Sequence, residues 1–535
     1  MKKIIHHSQR LFLSLIFLLL FSAASFGQVR EAQAEKLQRA LQFIEFAYIE
    51  ELDDEELVEY AIEGILKELD PHSVYLSEDE LKRANEPLEG SFEGIGIQFN
   101  LINDTIVVVS PIPGGPSEKV GLMPGDKIVK IEGEQAHGSD INNQYVQDRL
   151  RGERGSEVDV SIYRTGVDEL LDFTIKRDRI PIHSVDAAFM ATPEIGYIKL
   201  NRFSRTTMRE YREASQELRD QGMEHMILDL NYNSGGYLDV AIDLADQFLD
   251  NEKMIVYTEG HSAPRQEFTS TRQGNFQDGK IVVLINEGSA SASEILSGAL
   301  QDWDRGLLVG RRSFGKGLVQ RPYELPDGSA IRLTTARYHT PTGRSIQKPY
   351  DKSTEAYYED LSERLSRGEL ISPDNISFPD SLQHVTKFNE RVVYGGGGIM
   401  PDFFIPLDTT RVSEFYSTLL RRGIINNFGI EYTNRHREKL SDKYPDVESF
   451  IDRFEMEEDL MEELLDYAKE HDVEPDDDEP EAADIYMRNQ LKGLIARNLF
   501  DFEAYIQVTM QIDDSLNKAI EIINDDTFDK MDIRY

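Results

Sequence analysis

The chain has 535 residues, 40% of them hydrophobic and 9% aromatic, which is enough for several buried cores and about three or four domains. With 98 acidic against 58 basic residues its formal charge is −40, a balance that argues against nucleic acid as a partner. Cysteine is absent, so disulfides, thiolate zinc sites, a cysteine nucleophile and a lipid anchor on an N-terminal cysteine are all excluded.

Residues 1–27 have a basic start (Lys2, Lys3, Arg10), an apolar stretch from Leu11 to Phe21 and small residues at Ala23, Ala24, Ser25 and Gly27. This is the pattern of a secretory signal peptide cut before Gln28, and its apolar run is short for a bilayer span of about 20 residues. Cutting there removes three cations and no acids and takes the charge from −40 to −43. From 28 to 90 the spacing predicts a helical arm: one helix over Glu31 to Ile49, and a second over Asp54 to Leu69, closed by Asp70-Pro71. His72 is a lone histidine in that turn and reads as structural.

Between 91 and 180 the pattern turns to short strands with turn punctuation. Gly94-Ile-Gly-Ile97 opens it, Thr105 to Val109 is β-branched, Ser117 to Gly121 starts a short helix, Met123-Pro-Gly-Asp-Lys-Ile128 is a turn into a strand, and Gln144 to Leu150 fits a second helix. Arg154 and Arg164 read as solvated surface charges. From 181 to 408 strands and helices alternate: strands at Ile195–Leu200, Met226–Leu230 and Met254–Tyr257, helices at Thr206–Gln221 and Leu238–Phe248, and further strands at Leu307–Val309, Ile331–Thr335 and Arg337–Thr340. That order predicts a layered α/β core. Residues 352–391 form a charged insertion, read as a surface lobe with no assigned chemistry. The remainder, 409–535, is acidic and helical, with Phe415, Leu419, Phe454, Leu464, Leu465, Leu491, Ile495 and Leu499 at helical intervals and an acidic linker at Glu474–Pro480.

The densest chemistry lies between Ile281 and Gln320. Ile281-Val-Val-Leu-Ile285 lacks alternation, as a strand buried on both faces would. Asn286-Glu-Gly288 breaks it, and Ala292, Ile295, Leu296, Ala299 and Leu300 then follow at helical spacing. Ser291 is therefore expected at a strand-to-helix turn, where unpaired N–H groups and the helix dipole would favour an oxyanion. Ser291-Ala-Ser-Glu294 is also a capping box, and on the local sequence alone a capping serine is the favoured reading. No histidine occurs between His261 and His339. Lys316, between Gly315 and Gly317, could act as a base only if burial lowered its pKa from ~10.4 toward roughly 7 to 8. Gln320 is the nearest group able to orient the amine, provided the chain bends.

The run Asn286-Glu-Gly-Ser-Ala-Ser-Ala-Ser-Glu-Ile295 followed by Phe314-Gly-Lys-Gly-Leu-Val-Gln320 closely resembles the C-terminal processing peptidases, or tail-specific proteases. The resemblance implies that Ser291 is the nucleophile, Lys316 the general base and Gln320 its assistant. Asp229-Leu-Asn-Tyr-Asn-Ser-Gly-Gly-Tyr-Leu238 resembles the family's Gly-Gly turn, with Ser234 where a proline is usual, and implies an oxyanion hole built from backbone N–H groups of Gly235 or Gly236 with Ala292. The 91–180 segment looks like a PDZ domain, whose Gly94, Ile95, Gly96 and Ile97 would capture a peptide's terminal carboxylate while the peptide adds as a strand. Leu69-Asp-Pro-His-Ser-Val-Tyr-Leu76, Tyr338 to Ile346 and Gly397 to Asp402 resemble other family segments, and the likeness ends near residue 408.

The implied fold is a multidomain α/β protein: a Clp protease/crotonase-like core, an inserted β-rich PDZ domain, an N-terminal helical arm and a C-terminal helical domain. The implied function is an exported, periplasmic or cell-envelope serine endopeptidase that selects protein substrates by their free C-termini, with no metal or cofactor. Self-association and an activating or adaptor protein remain open. Two rivals stand beside it: a catalytically silent PDZ scaffold, and a Ser-His-Asp hydrolase with His225, His261 or His339 as base. Against the second, no Gly-x-Ser-x-Gly elbow surrounds Ser291.

Overall fold

The computed structural model describes residues 32–535 except 103, 113, 165, 273, 352, 410–412 and 476–480, so the segment expected to be a signal peptide and most of the expected acidic linker lie outside the described residues. The chain divides into two compact units, residues 1–78 with 321–334, and the remainder.

In the first unit, helix α1 (32–47) is followed by α2 (Asp54–Lys67) and strand β1 (Val74–Leu76), which pairs antiparallel with Ala330 to Arg332. Asp53 caps α2 by accepting from Glu55 N and Glu56 N, and Lys67 ends it, as the helix dipole favours. At the Asp70-Pro71 turn one carboxylate takes the N–H groups of His72 and Ser73, the Ser73 hydroxyl and the Thr334 hydroxyl, so His72 sits in a structural turn. Phe43, Phe46 and Ile49 are exposed.

The second unit opens with α3 (Glu78–Glu89) and a two-stranded ribbon of β2 (Ser91–Gly94) with β9 (Asp178–Pro181). Between its strands lies a small β domain: β3 (Ile97–Ile102), β4 (Thr105–Pro111), α4 (Pro116–Val120), β5 (Lys127–Ile131), β6 (Glu134–Gln135), α5 (Asn143–Leu150), β7 (Glu157–Tyr163) and β8 (Leu171–Lys176). The sheet order is β3-β4-β5-β7-β8, with β6 on β5, so β3 is an edge strand. Ile106, Val108, Ile128, Val146, Val160 and Ile175 fill its core. Arg164 is not a solvated charge: its guanidinium grips Asp126 through Nε and Nη2, both at 2.8 Å, and fixes the Pro124-Gly-Asp126 turn. Arg154 does lie at the surface, 2.7 Å from Asp178.

The core is a six-stranded sheet, β10 (Val185–Met190), β11 (Ile195–Leu200), β12 (His225–Asp229), β15 (Ile281–Ile285), β16 (Leu307–Gly310) and β21 (Phe403–Phe404), in that order. Only β10 runs antiparallel to its neighbour. Helices α6 (Thr207–Asp220), α7 (Leu238–Ala245) and α8 (Ala292–Asp302) cover one face. Strands β13 (Met254–Glu259), β14 (Gln266–Thr269), β17 (Leu318–Glu324) and β18 (Ala330–His339) stand apart from that sheet. The two strands expected at Ile331–Thr335 and Arg337–Thr340 are the single β18, because Ala336 between them keeps extended geometry. The unalternating run at Ile281–Ile285 is explained by burial on both sides: Ile281, Val283 and Ile285 face one core, Val282 and Leu284 the other.

The insertion carries α9 (Thr354–Ser366) and β19 (Gln383–Val385), which forms a ribbon with β20 (Val392–Tyr394) just beyond it. Beyond it come α10 (Glu414–Arg421), α11 (Ile424–Lys443), α12 (Val447–Arg453), α13 (Glu458–Glu470) and α14 (Glu481–Leu499), whose apolar positions, Phe415, Leu419, Leu464, Leu491 and Ile495 among them, form one helical core. Of the last helices, α15 (Phe502–Thr509) serves two cores, with Ala504 and Val508 in the helical one, and α16 (Asp514–Asn524) and α17 (Thr527–Lys530) turn to the central sheet. Ile506, Leu516, Ala519, Ile522, Ile523 and Phe528 pack against Tyr197, Ile227, Val282, Leu284 and Val309 on the second face of the central sheet. Expected as part of a separate C-terminal domain, they instead complete the α/β sandwich.

Candidate active site

Strand β15 ends at Ile285, and the three serines after it divide their roles. Ser289 and Ser293 are fully buried, and their hydroxyls donate to the backbone oxygens of Leu230 and Asn233 at 2.8 Å each. They stitch the turn to the end of β12. Ser291 is half-buried and holds φ 55° and ψ −111°, a conformation that strains a residue with a Cβ. The expected capping box is present, and on its acid side Glu294 accepts the Ser291 N–H at 2.8 Å.

Glu294 does more than cap. Fully buried, it accepts from Ser313 Oγ at 2.5 Å, Gly315 N at 2.7 Å and Lys316 N at 2.9 Å. One carboxylate oxygen thus receives the N–H groups of both Ser291 and Lys316, so the two backbone nitrogens lie within about 6 Å of each other. Burial pushes this carboxyl up to about 7 against the pull of its four donors. Tyr338, 1% exposed, directs its hydroxyl to the carbonyls of the same two residues, Ser291 at 3.1 Å and Lys316. Ser291 and Lys316 are therefore held between one buried acid and one buried phenol. The Lys316 amine donates to Gln320 Oε1 at 3.0 Å, so the chain makes the bend that this pairing requires.

The Gly-Gly turn lies against the serine. A Cβ on Gly235 would fall 2.8 Å from Ser291 Cβ and 2.9 Å from Ala292 N, and one on Gly236 would overlap the Phe203 carbonyl oxygen. Both positions have positive φ, 102° and 147°, so glycine is required twice over. The Gly235 N–H is already donated to Asn233 Oδ1 at 2.9 Å, whereas no hydrogen bond is made by the N–H of Gly236 or of Ala292 among the described residues. Asn233 was not singled out by sequence. Fully buried, it also donates to Leu200 O and accepts from Ala290 N, so it fixes both sides of the site. Ser234, at the unusual position, is exposed.

The histidines are elsewhere. His225 starts β12, opposite Lys280, at the end of the parallel strands remote from Ser291. His261 is exposed in a loop. His339 stacks on Tyr257 at 4.7 Å and alternates along β18 with Tyr338, so its ring leaves the face that meets Ser291. Gly94, Ile95 and Gly96 are buried and Ile97 half-buried, and the edge strand β3 begins at Ile97. No cluster of His, Cys, Asp or Glu suited to a metal occurs among the described residues.

Comparison with known proteins gives the chain a family. Residues 194–352 match Peptidase family S41, 94–176 a PDZ domain, 22–80 the activating protease CtpB N-terminal domain, and 415–501 a family of unknown function. A carboxy-terminal-processing protease of Bartonella bacilliformis is 41% identical over 305 residues, covering 56% of this chain and 69% of that protein. Carboxy-terminal processing protease CtpA of Bacillus subtilis is 36% identical over 319 residues, covering 59% of this chain and 67% of that one. Among solved structures, a photosystem II D1 C-terminal processing protease shares 29% identity over 58% of this chain and 89% of its own, with a TM-score of 0.34. By these matches the chain belongs to the carboxy-terminal processing proteases, an S41 peptidase with a PDZ domain.

Proposed function

We propose that the protein is an exported serine endopeptidase that cleaves protein substrates selected near their C-termini, with Ser291 as nucleophile and Lys316 as general base. The observation that carries this reading is the shared clamp: Glu294 and Tyr338 each bind both Ser291 and Lys316, and the Lys316 amine rests on Gln320. A neutral Lys316 takes the Ser291 proton as Oγ attacks the scissile carbonyl, and the Gly236 and Ala292 N–H groups receive the oxyanion. The resulting ammonium returns the proton to the leaving amine, which breaks the peptide bond and leaves an ester on Ser291. Water, deprotonated by the same amine, hydrolyses that ester. Gln320 keeps the amine aimed through these steps.

Tail selection falls to the segment Gly94 to Ile97, whose edge strand β3 can take a peptide as an added strand, with the terminal carboxylate at the glycine loop. We assign 1–27 to a signal peptide, 28–90 to a helical arm, 91–180 to the PDZ domain, 181–408 to the peptidase core and 409–535 to the C-terminal helices, the last of which, 502–535, pack on the core. A periplasmic or cell-envelope site follows from the leader. Among the described residues no helix is long and apolar enough to cross a membrane.

The test is incubation of the purified protein with an unfolded protein ending in an apolar tail. Wild type should cleave it, and Ser291→Ala and Lys316→Ala should each lose at least about 10³ in kcat. Equal cleavage by Ser291→Ala, or retained activity in Lys316→Ala with loss in a histidine variant, overturns the assignment.

A further inference from the structure

The insertion expected to be a surface lobe is fastened to the loop that carries Lys316. On α9, Tyr357, Asp360 and Arg364 recur at steps of three and four residues and so share one face. Tyr357 is 2% exposed and Arg364 1%. A guanidinium is costly to bury unless its donors are used; both Nη groups of this one donate to backbone carbonyls, while Nε makes no hydrogen bond among the described residues and lies 3.5 Å from a Glu369 carboxylate oxygen. Arg364 donates from Nη2 to the Arg312 carbonyl at 2.7 Å and from Nη1 to the Ser313 carbonyl at 3.1 Å. Glu369, just past α9, pairs with the Arg312 side chain at 2.6 Å.

The next residues of the loop are held from the same face. Asp360 binds the Lys348 ammonium at 3.1 Å, and that ammonium lies 4.0 Å from the Phe314 ring centre and 4.2 Å from that of Tyr357. The Lys348 N–H donates to the Gly315 carbonyl at 2.9 Å. Gln347 accepts the Gly317 N–H at 2.8 Å, and its side chain is hydrogen-bonded to the Tyr357 hydroxyl. Arg312, Ser313, Phe314, Gly315 and Gly317 are thus all tied, directly or through residues 347 and 348, to one helical face. None of these ties touches the reacting atoms.

We propose that α9 is a brace for the lysine-bearing loop and that Arg364 is a positioning residue for the Lys316 amine. The positioning role rests on the peptidase reading above; the brace does not. A base displaced by about 1 Å forfeits on the order of 10² in rate, and a loop flanked by Gly315 and Gly317 has little stiffness of its own.

The test compares wild type, Arg364→Ala and Asp360→Asn by kinetics on the apolar-tailed substrate and by amide hydrogen exchange. Arg364→Ala should lower kcat by about 10- to 100-fold with KM within about 3-fold, and guanidinium ion below denaturing concentration should restore part of the rate. Exchange across residues 312–317 should quicken in both variants while that of α8 stays at the wild-type rate. If Arg364→Ala does not fold, Asp360→Asn decides, with kcat expected to fall several-fold at an unchanged KM. Unchanged exchange across the loop overturns the brace, and faster exchange with kcat unchanged overturns the positioning role. Equal cleavage by wild type and Ser291→Ala sinks the peptidase reading instead, and the exchange data, which need no substrate, still decide the brace.

Discussion

Glu294 shows how one side chain can set the geometry of two others. Its four partners are all donors, Ser291 N, Ser313 Oγ, Gly315 N and Lys316 N, so only the ionised carboxylate satisfies them together. In Glu294→Gln an amide NH₂ would face donors, and at least one backbone N–H would lose its acceptor. We expect kcat to fall about 10²-fold in that variant with substrate binding little changed, since no contact to substrate is altered. The pH dependence has a definite sign. Burial raises this carboxyl from an ordinary 4.5 to about 7, so between those values the folded state holds more protons than the unfolded one. Its contribution to stability is fully present below 4.5 and is lost as pH rises through about 7. Melting curves should therefore show the wild type losing stability, relative to Glu294→Gln, as pH climbs across that window. Activity has the opposite slope, because the ionised acid organises the site and the base must be neutral. A variant difference flat from pH 4 to 8 would sink this account.

At the level of elements, the parts legible in the sequence were those decided by local pattern. The strand at Ile281–Ile285 and the helix after Ser291 are written in the sequence, because a continuous apolar run and a 3.6-residue repeat leave few alternatives. What escaped were contacts made at long range. Tyr338 stands 22 residues beyond Lys316, and nothing local marks it as the phenol that meets both carbonyls. Arg364 looked like one more charge in a charged insertion, since burial of a guanidinium leaves no periodic trace. The sequence does not separate Gly235 from Gly236 as an oxyanion donor, and the Asn233 amide oxygen, which takes the Gly235 N–H, distinguishes them. The PDZ loop offers its own prediction. Gly96 has φ 73°, and a Cβ there would lie 2.8 Å from Ile180 Cδ1, so Gly96→Ala should distort the loop leading into β3. We expect binding of a fluorescent peptide with an apolar tail to weaken about 10-fold, and KM for tailed substrates to rise, with the melting temperature nearly unchanged. Equal affinity in both proteins would move the tail site elsewhere.

On the scale of the whole molecule, the last helices have to be counted with the α/β core. One face of the central sheet is covered by α6, α7 and α8, and had the chain ended near residue 501 the other would expose Ile227, Val282, Leu284 and Val309. Parallel strands do not tolerate that exposure. Phe528 is the largest apolar side chain from this cover, fully buried, edge-on to Tyr535 and under the Lys280 ammonium, which also donates to Ile523 O at 2.6 Å. Lys280 precedes β15 at the end opposite Ser291, so damage there should reach the fold before the chemistry. Phe528→Ala removes a ring and leaves a cavity, for a loss of about 3–5 kcal/mol. The expected outcome is a melting temperature lower by several degrees with kcat unchanged at a temperature where both proteins are folded. A fall in kcat without a fall in stability would mean that the C-terminal helices act on the site rather than beneath it, and the sandwich would then have to be read as a means of regulation.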